Sequence, residues 1–403
     1  MQKYILIIST LDTKSEETLY LKDRITGLGL KPLLMDISMR GAKDSVCDIT
    51  PDRVAAAGGS SFKKISNSRE RTHITNIMMT GASRIAGELL GDSKLAGVIA
   101  VGGSTGTLMA TEVMRSLPFG IPKLMISSTA ALPGLSTRYI GTGDIALFHS
   151  VIEISGVTDM LKNVMDRAAS ALAGMVKGKI TSPKAEKRNA IALTMLGPWE
   201  KCASSVRMAM EQKGFQVIGF SAAGIGDKAM EDMIAAGFFN GVIDLAPGGV
   251  GEHLFGFMRD AGPRRMETAG ALGIPQIIST CSVNHMTPAK SKYKPEFHQR
   301  RKYDLDKFRS WLRLSPDELK QVAGVFAEKL NKTSGPVKIL VPLDGWSSVD
   351  SPANPTYDPE EDRFFTRALR EKLKPEIPII EVDANMEDPE FAKAVVGAAL
   401  EIF

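Results

Sequence analysis

Cysteine is scarce in this chain. Cys47, Cys202 and Cys281 are its only three, odd in number and never spaced as CxxC. That excludes a disulfide framework and a thiolate zinc ribbon, and it fits a reducing compartment. Histidine is nearly as rare: His73, His149, His253, His285 and His298 show neither HExxH nor HxxxH spacing, so no zinc helix is encoded. Long apolar runs are missing too. No window approaches the roughly 18 residues that span a membrane. The N-terminal MQKYILIISTLDTK has an apolar run of about six residues with no small-residue cleavage site, which reads as a first strand rather than a signal peptide. The cytoplasm is the expected address. Neither sign of charge dominates: 50 basic against 46 acidic residues leave +4, which argues against a dedicated nucleic-acid binder. There is no GxxxxGK[ST], hence no P-loop. Without GxGxxG after the first strand, a nicotinamide-dependent dehydrogenase is disfavoured as well.

What is present is an α/β pattern organised around AGVIAVGGSTGTLMATEVM, residues 96–114. A buried-strand run, Val98–Val101, breaks into Gly102, Gly103, Ser104, Thr105, Gly106 and Thr107, then resumes with helical spacing. A strand that feeds a glycine turn opening a helix leaves N–H groups free at the helix N-terminus, where an anion binds; the plainer reading is a hydroxyl-capped turn. Tyr4–Ile8 and Leu30–Met35 read as the first two strands. Asp36, at the end of the second, stands where a ribose is often held, or it is a solvated loop acid.

Lys177–Arg188, KGKITSPKAEKR, is the expected linker between units at 1–180 and 185–403. Beyond it the grammar repeats. NAIALTMLGPWEK and GFQVIGFSAAG parallel YILIISTLDTK and GLKPLLMDIS; NGVIDLAPGGVGE parallels AGVIAVGGSTGT; GIPQIISTCS parallels GIPKLMISSTA. Four pairs in the same order argue for two similar Rossmann-like three-layer domains with mainly parallel sheets. A basic and aromatic insertion at about 284–314 interrupts the second. Nine basic residues face three acidic ones between 289 and 313, which suits a solvated arm, a dimer arm or, less well, a nucleic-acid surface.

Hydroxyl- and glycine-rich loops accumulate at the expected strand ends: Thr10, Asp12, Thr13 and Lys14; Gly102–Thr107; Ser128 and Thr129; Gly141 and Asp144. Hydroxyls and N–H groups suit phosphate oxygens, Lys14 adds a point charge, and Asp12 or Asp144 could hold Mg²⁺ through water. Each loop could equally cap its own helix. A competing expectation is a metabolic enzyme acting on a small phosphorylated or carboxylated substrate between the domains, with His285, Glu252 and Asp344 as candidate acid/base groups.

The motifs IISTLDTKSEE, AVGGSTGT, IPKLMISSTA followed by YIGTGDI, SVIEISGVTDM, ALAGMV and VPLDGWSSVD…TYDPEED resemble, in order along the whole chain, the ATP-binding domain of the tomato mosaic resistance protein family. That family is largely uncharacterised, and its plant representative inhibits viral RNA replication. The resemblance implies two Rossmann-like subdomains, ATP binding and a homodimer. Its ligand loops map onto Asp12, Thr13, Lys14, Gly102, Gly103, Ser104 and Thr107. The second half departs from the family pattern. Ser221-Ala222-Ala223-Gly224 stands for His-Ala-Thr-Gly, Ala246–Glu252 replaces a Thr-Thr-Thr-Glu run, and Cys281–Met286 replaces Gly-Ala-Leu-Asp-Met-Val-Asn. Any activity seated there is altered or in doubt.

Overall fold

The computed structural model describes residues 2–40, 46–178, 189–197 and 200–403. Most of the expected linker (179–188), together with Pro198 and Trp199, lies outside them. The chain divides into two compact units, Met1–Ala185 and Glu186–Phe403.

The first unit runs β1 (Tyr4–Ser9), α1 (Leu11–Gly27), β2 (Pro32–Asp36), α2 (Pro51–Ala57), α3 (Phe62–Ser66), α4 (Arg71–Gly91), β3 (Leu95–Gly102), α5 (Ser104–Arg115), β4 (Lys123–Ser127), α6 (Ser136–Ile140), β5 (Ala146–His149) and α7 (Asp159–Lys177). Its five strands are all parallel, in the order β2-β1-β3-β4-β5. Side chains alternate across a strand, and here both faces are covered. Leu6, Ile8, Val98 and Ala100 pack with residues of α2, α4 and α5. Ile5, Ile7, Ile99 and Val101 pack with residues of α1 and α7. This double burial is why the strands read as continuous apolar runs rather than alternating ones.

The second unit runs β6 (Ala190–Met195), α8 (Glu200–Gln212), β7 (Gln216–Ser221), α9 (Ile225–Ala235), β8 (Gly241–Asp244), α10 (Gly249–Phe255), α11 (Thr268–Ala271), β9 (Gln276–Ile278), β10 (His285–Met286), β11 (Lys302–Asp304), β12 (Ser310–Arg313), α12 (Pro316–Leu330), β13 (Val337–Pro342), α13 (Pro359–Lys372), β14 (Ile379–Val382) and α14 (Pro389–Leu400). Its six-stranded parallel sheet has the order β14-β13-β9-β8-β6-β7. The run β7-β6-β8-β9 thus reproduces β2-β1-β3-β4, as the repeated segments anticipate. The insertion is a separate antiparallel sheet, β10-β12-β11, with Leu312 and Trp311 in the core. In each unit the strand order reverses beside the first strand, between β1 and β3 and between β6 and β8. Open parallel sheets take ligands at the carboxyl ends of such a pair.

Candidate functional site

At the β1/β3 reversal the first unit leaves a cleft of about 760 Å³, floored by Thr10–Lys14 and Gly103–Gly106. The two helices that begin there differ in what satisfies their first N–H groups. At α1, Leu11 N–H donates to Asp36 Oδ1 (3.1 Å) and Asp12 N–H to Ser38 Oγ (3.0 Å). The N–H groups of Thr13 and Lys14 both go to Thr10 O. At α5 no side chain caps the terminus, and no acceptor among the described residues takes the N–H of Ser104, Thr105 or Gly106. The α5 terminus, with its positive dipole end, is the one free to meet a ligand.

Positive side chains surround it. Lys14, Arg40, Arg69 and Arg71 line the cleft against the single carboxylate of Asp12. Lys14, at a kink in α1, donates to Ile154 O. Arg71 Nη2 donates to Thr105 Oγ1 (3.1 Å), so its guanidinium is held at the α5 turn. Met39, Ile65 and Ile74 supply an apolar part of the wall. Sequence reasoning missed these three together with Arg40, Arg69 and Arg71. Met39, Arg40, Ile65 and Arg69 lie in or beside segments without clear periodicity, whereas Arg71 and Ile74 belong to the first turn of α4, where helical spacing does not tell that the turn faces a cleft. The one available signal was the run Ser68-Arg69-Glu70-Arg71.

Several expected ligand residues are placed elsewhere. Asp36 is fully buried and spends Oδ1 on Leu11 N–H, Ser38 N–H and the Ser38 hydroxyl, so it caps α1 instead of facing a ribose. Burial raises its pKa, with the Ser38 and Leu11 bonds acting in the opposite direction. Gly102 and Thr107 are buried beneath the turn. The Thr107 hydroxyl begins an internal chain through Ser127 (2.7 Å) and Thr129 (3.2 Å) to Tyr139 (3.0 Å). Ser128 Oγ is buried beside Gly103 and has no partner among the described residues. Neither Ser128 nor Thr129 lines the cleft.

Gly141 and Asp144 sit at the wrong edge of the sheet. They precede β5, and Asp144 pairs with Lys123 Nζ (2.5 Å), at the start of β4, and accepts from Gly120 N–H (2.8 Å). Gly141 lies against Arg115 in the last turn of α5. Asp144 is therefore no partner for a Mg²⁺ ion at the cleft. The turn Gly102-Gly103-Ser104-Thr105-Gly106 also spells G-x-S-x-G, the pattern of a hydrolase nucleophile elbow. Ser104 lacks the positive φ of such an elbow, and no histidine lines the cleft.

The second unit's acid/base candidates are engaged or separated. The Glu252 carboxylate accepts from Arg259 Nε (3.0 Å) and Nη2 (2.7 Å) and from Thr287 Oγ1 (2.8 Å), fully buried. His285 is buried beside Trp311, at 6.0 Å between ring centroids. Burial and the charges of Arg313 and Arg259 hold its pKa well below the usual histidine value. Asp344 is exposed and accepts from the Tyr357 hydroxyl (2.5 Å), which raises the tyrosine pKa to about 12. None of the three is hydrogen-bonded to another. On its β8 side the matching crevice is covered by the chain itself: a Cβ on Gly248 would lie 2.2 Å from Ser282 O, and one on Gly249 2.5 Å from Ala261 Cβ. The cavity at this edge, about 560 Å³, lies on the β6/β7 side against Met195–Gly197 and Gly219–Ser221. The arginines of the basic insertion are paired, partly within it and partly with carboxylates at the starts of α12 and α13. Arg300 pairs with Glu318, Arg301 with Asp358 and Glu361, Arg309 with Asp306, and Lys302 with Asp304. Buried Arg313 holds Asp350 (3.2 Å), Glu361 (3.0 Å) and Asp362 (2.5 Å).

Both halves of the chain match one family. Residues 3–181 match the N-terminal domain, and residues 188–403 the C-terminal domain, of the uncharacterised protein family UPF0261. The chain belongs to this family. A UPF0261 protein of Clostridium tetani is 34% identical over 397 residues, 98% of each chain. One from Brucella suis is 31% identical over 397 residues, covering 98% of this chain and 94% of the relative. The tomato (Solanum lycopersicum) ToMV resistance protein Tm-1 is 35% identical over 318 residues, 77% of this chain. That match spans only 42% of the tomato protein. No described helix is long and apolar enough to cross a membrane.

Proposed function

We propose that the first unit of this UPF0261 protein binds ATP, with the phosphates on the α5 turn and the adenine against Met39, Ile65 and Ile74. One observation carries the reading: the three N–H groups of α5 that have no partner among the described residues open onto a cleft lined, among those residues, by four cations and one carboxylate. Free N–H groups at a helix start and charge-assisted donors are what phosphate oxygens require. Asp12 is the carboxylate placed to hold a hydrated Mg²⁺ beside the phosphates. Nothing in the geometry of Glu252, His285 or Asp344 supports a reaction through them, so the proposal stops at binding.

The test is thermal unfolding with and without Mg-ATP. A ligand at ten times its Kd stabilises the folded state by about 1.4 kcal/mol, a measurable rise in Tm. Gly103→Val places a branched side chain over the α5 N–H groups and should abolish the rise. No shift at millimolar Mg-ATP would sink the proposal. The family resemblance also implies a homodimer, which sedimentation of the full chain would check.

A further inference from the structure

We propose that this cleft selects its ligand by the number of linked phosphates, and that Arg40 and Arg69 are the residues that count them. The proposal rests on the nucleotide reading above and goes beyond it by naming what the outer half of the cleft recognises.

The inner half is already furnished for one or two phosphates. It has the three free N–H groups of α5, Lys14 anchored at Ile154 O, and Arg71 pinned to the Thr105 hydroxyl. Arg40 and Arg69 come from different parts of the chain, one following β2 and the other between α3 and α4. Both line the same cleft. Both are exposed, and neither side chain has a hydrogen bond or ion pair among the described residues. Elsewhere most arginines of this protein are paired, including Arg259, Arg265, Arg300, Arg301 and Arg313. Two unpaired guanidinium groups on one cleft repel each other until an anion lies between them, and each planar fork suits two oxygens of one phosphate.

Charge balance points the same way. The lining carries a net of three positive charges plus the positive end of the α5 dipole. A nucleoside monophosphate brings one phosphoryl group, which the α5 N–H groups, Lys14 and Arg71 already engage, whereas a triphosphate brings two further groups whose anionic oxygens, with or without a bound Mg²⁺, call on further guanidinium donors. The lengthening phosphate chain is therefore the part of the ligand that rewards Arg40 and Arg69.

Calorimetric titration of the full chain in Mg²⁺-containing buffer tests this, using ATP, ADP, AMP and inorganic tripolyphosphate. The proteins are the wild type, Arg40→Ala, Arg69→Ala and Arg53→Ala, the last an exposed arginine on α2 outside the cleft. A lost charge-assisted contact is worth roughly tenfold in affinity. ATP should bind tightest and AMP weakest to the wild type and to Arg53→Ala. Arg40→Ala and Arg69→Ala should each lose about tenfold for ATP and tripolyphosphate, with AMP changed less than about twofold. If ATP binds and the ATP-to-AMP ratio survives both arginine substitutions, the counting role is overturned while the nucleotide reading stands. Arginine-dependent binding of tripolyphosphate without any binding of ATP or AMP has the opposite meaning: the counting role holds and the nucleotide reading falls. Absence of binding by all four ligands overturns both.

Discussion

The two units place the same strand order at the same crevice and use it in opposite ways. Between β1 and β3 the turn Gly103–Gly106 stands open: a Cβ on Gly103 would meet nothing closer than Ser128 Oγ at 3.8 Å. Between β6 and β8 the matching turn is covered, with Gly248 pressed on Ser282 O and the Glu252–Arg259 pair sealed behind it. An anion site needs free N–H groups and unpaired cations. The first unit keeps both accessible, while in the second the turn is covered by Ala261 and Ser282 and the Arg259 guanidinium is paired with Glu252. A repeated fold therefore transmits a position for a site without transmitting the site.

The largest effects expected from breaking this contrast lie in the filled crevice. Glu252→Ala leaves Arg259 buried without its carboxylate and should cost about 4 kcal/mol in chemical denaturation. In the open crevice Lys14→Ala should change stability by less than about 1 kcal/mol and act on Mg-ATP affinity instead. Gly248→Val forces atoms into the Ser282 carbonyl and should cost about 3 kcal/mol. Gly103→Val should leave the unfolding midpoint nearly unchanged while removing the ATP shift. Equal destabilisation by the two valines would erase the distinction between the crevices.

Asp36→Ala comes next. Loss of the α1 cap should cost about 1–2 kcal/mol with ATP affinity changed less than about threefold; a tenfold or greater loss of affinity at intact stability would return Asp36 to the ribose.

The smallest effect is a pH dependence in the second unit. Burial and the neighbouring Asp350 raise the pKa of Asp362 well above the usual carboxylate value. A carboxyl whose pKa is raised on folding binds its proton more tightly when folded. Its stabilising contribution is complete below the ordinary pKa, about 4, and is lost as pH rises through the raised value. The stability difference between wild type and Asp362→Asn should accordingly shrink as pH climbs from about 4. A difference that stays flat with pH would mean that folding leaves the Asp362 proton no more tightly held.

Much of the fold was legible because parallel strands buried on both faces write themselves as short apolar runs, and four such runs recur in order. The glycine turn was legible for the same local reason, since it sits between a strand and a helix contiguous in sequence. Asp144 was misplaced because its loop follows β4 in the chain but climbs back to the amino edge before β5; hydroxyl content does not report which edge a loop occupies. Asp36 was misread because a carboxylate at a strand end looks alike whether it faces a ribose or the N–H of a neighbouring helix. Arg40, Arg69 and Arg71 carry no periodic signal. They converge only because the loop after β2, the α3–α4 connection and the first turn of α4 meet over the same crevice.

The repeated α/β grammar, the glycine turn and the family are written in the residues alone. Which of two like crevices stays open was decided by tertiary structure alone. The reason is steric and electrostatic: whether N–H groups and cations remain available depends on which distant segments pack over them. At Gly248 those segments are Arg259–Ala261 and Ser282. At the Gly103–Gly106 turn they are arginines, and the cleft remains.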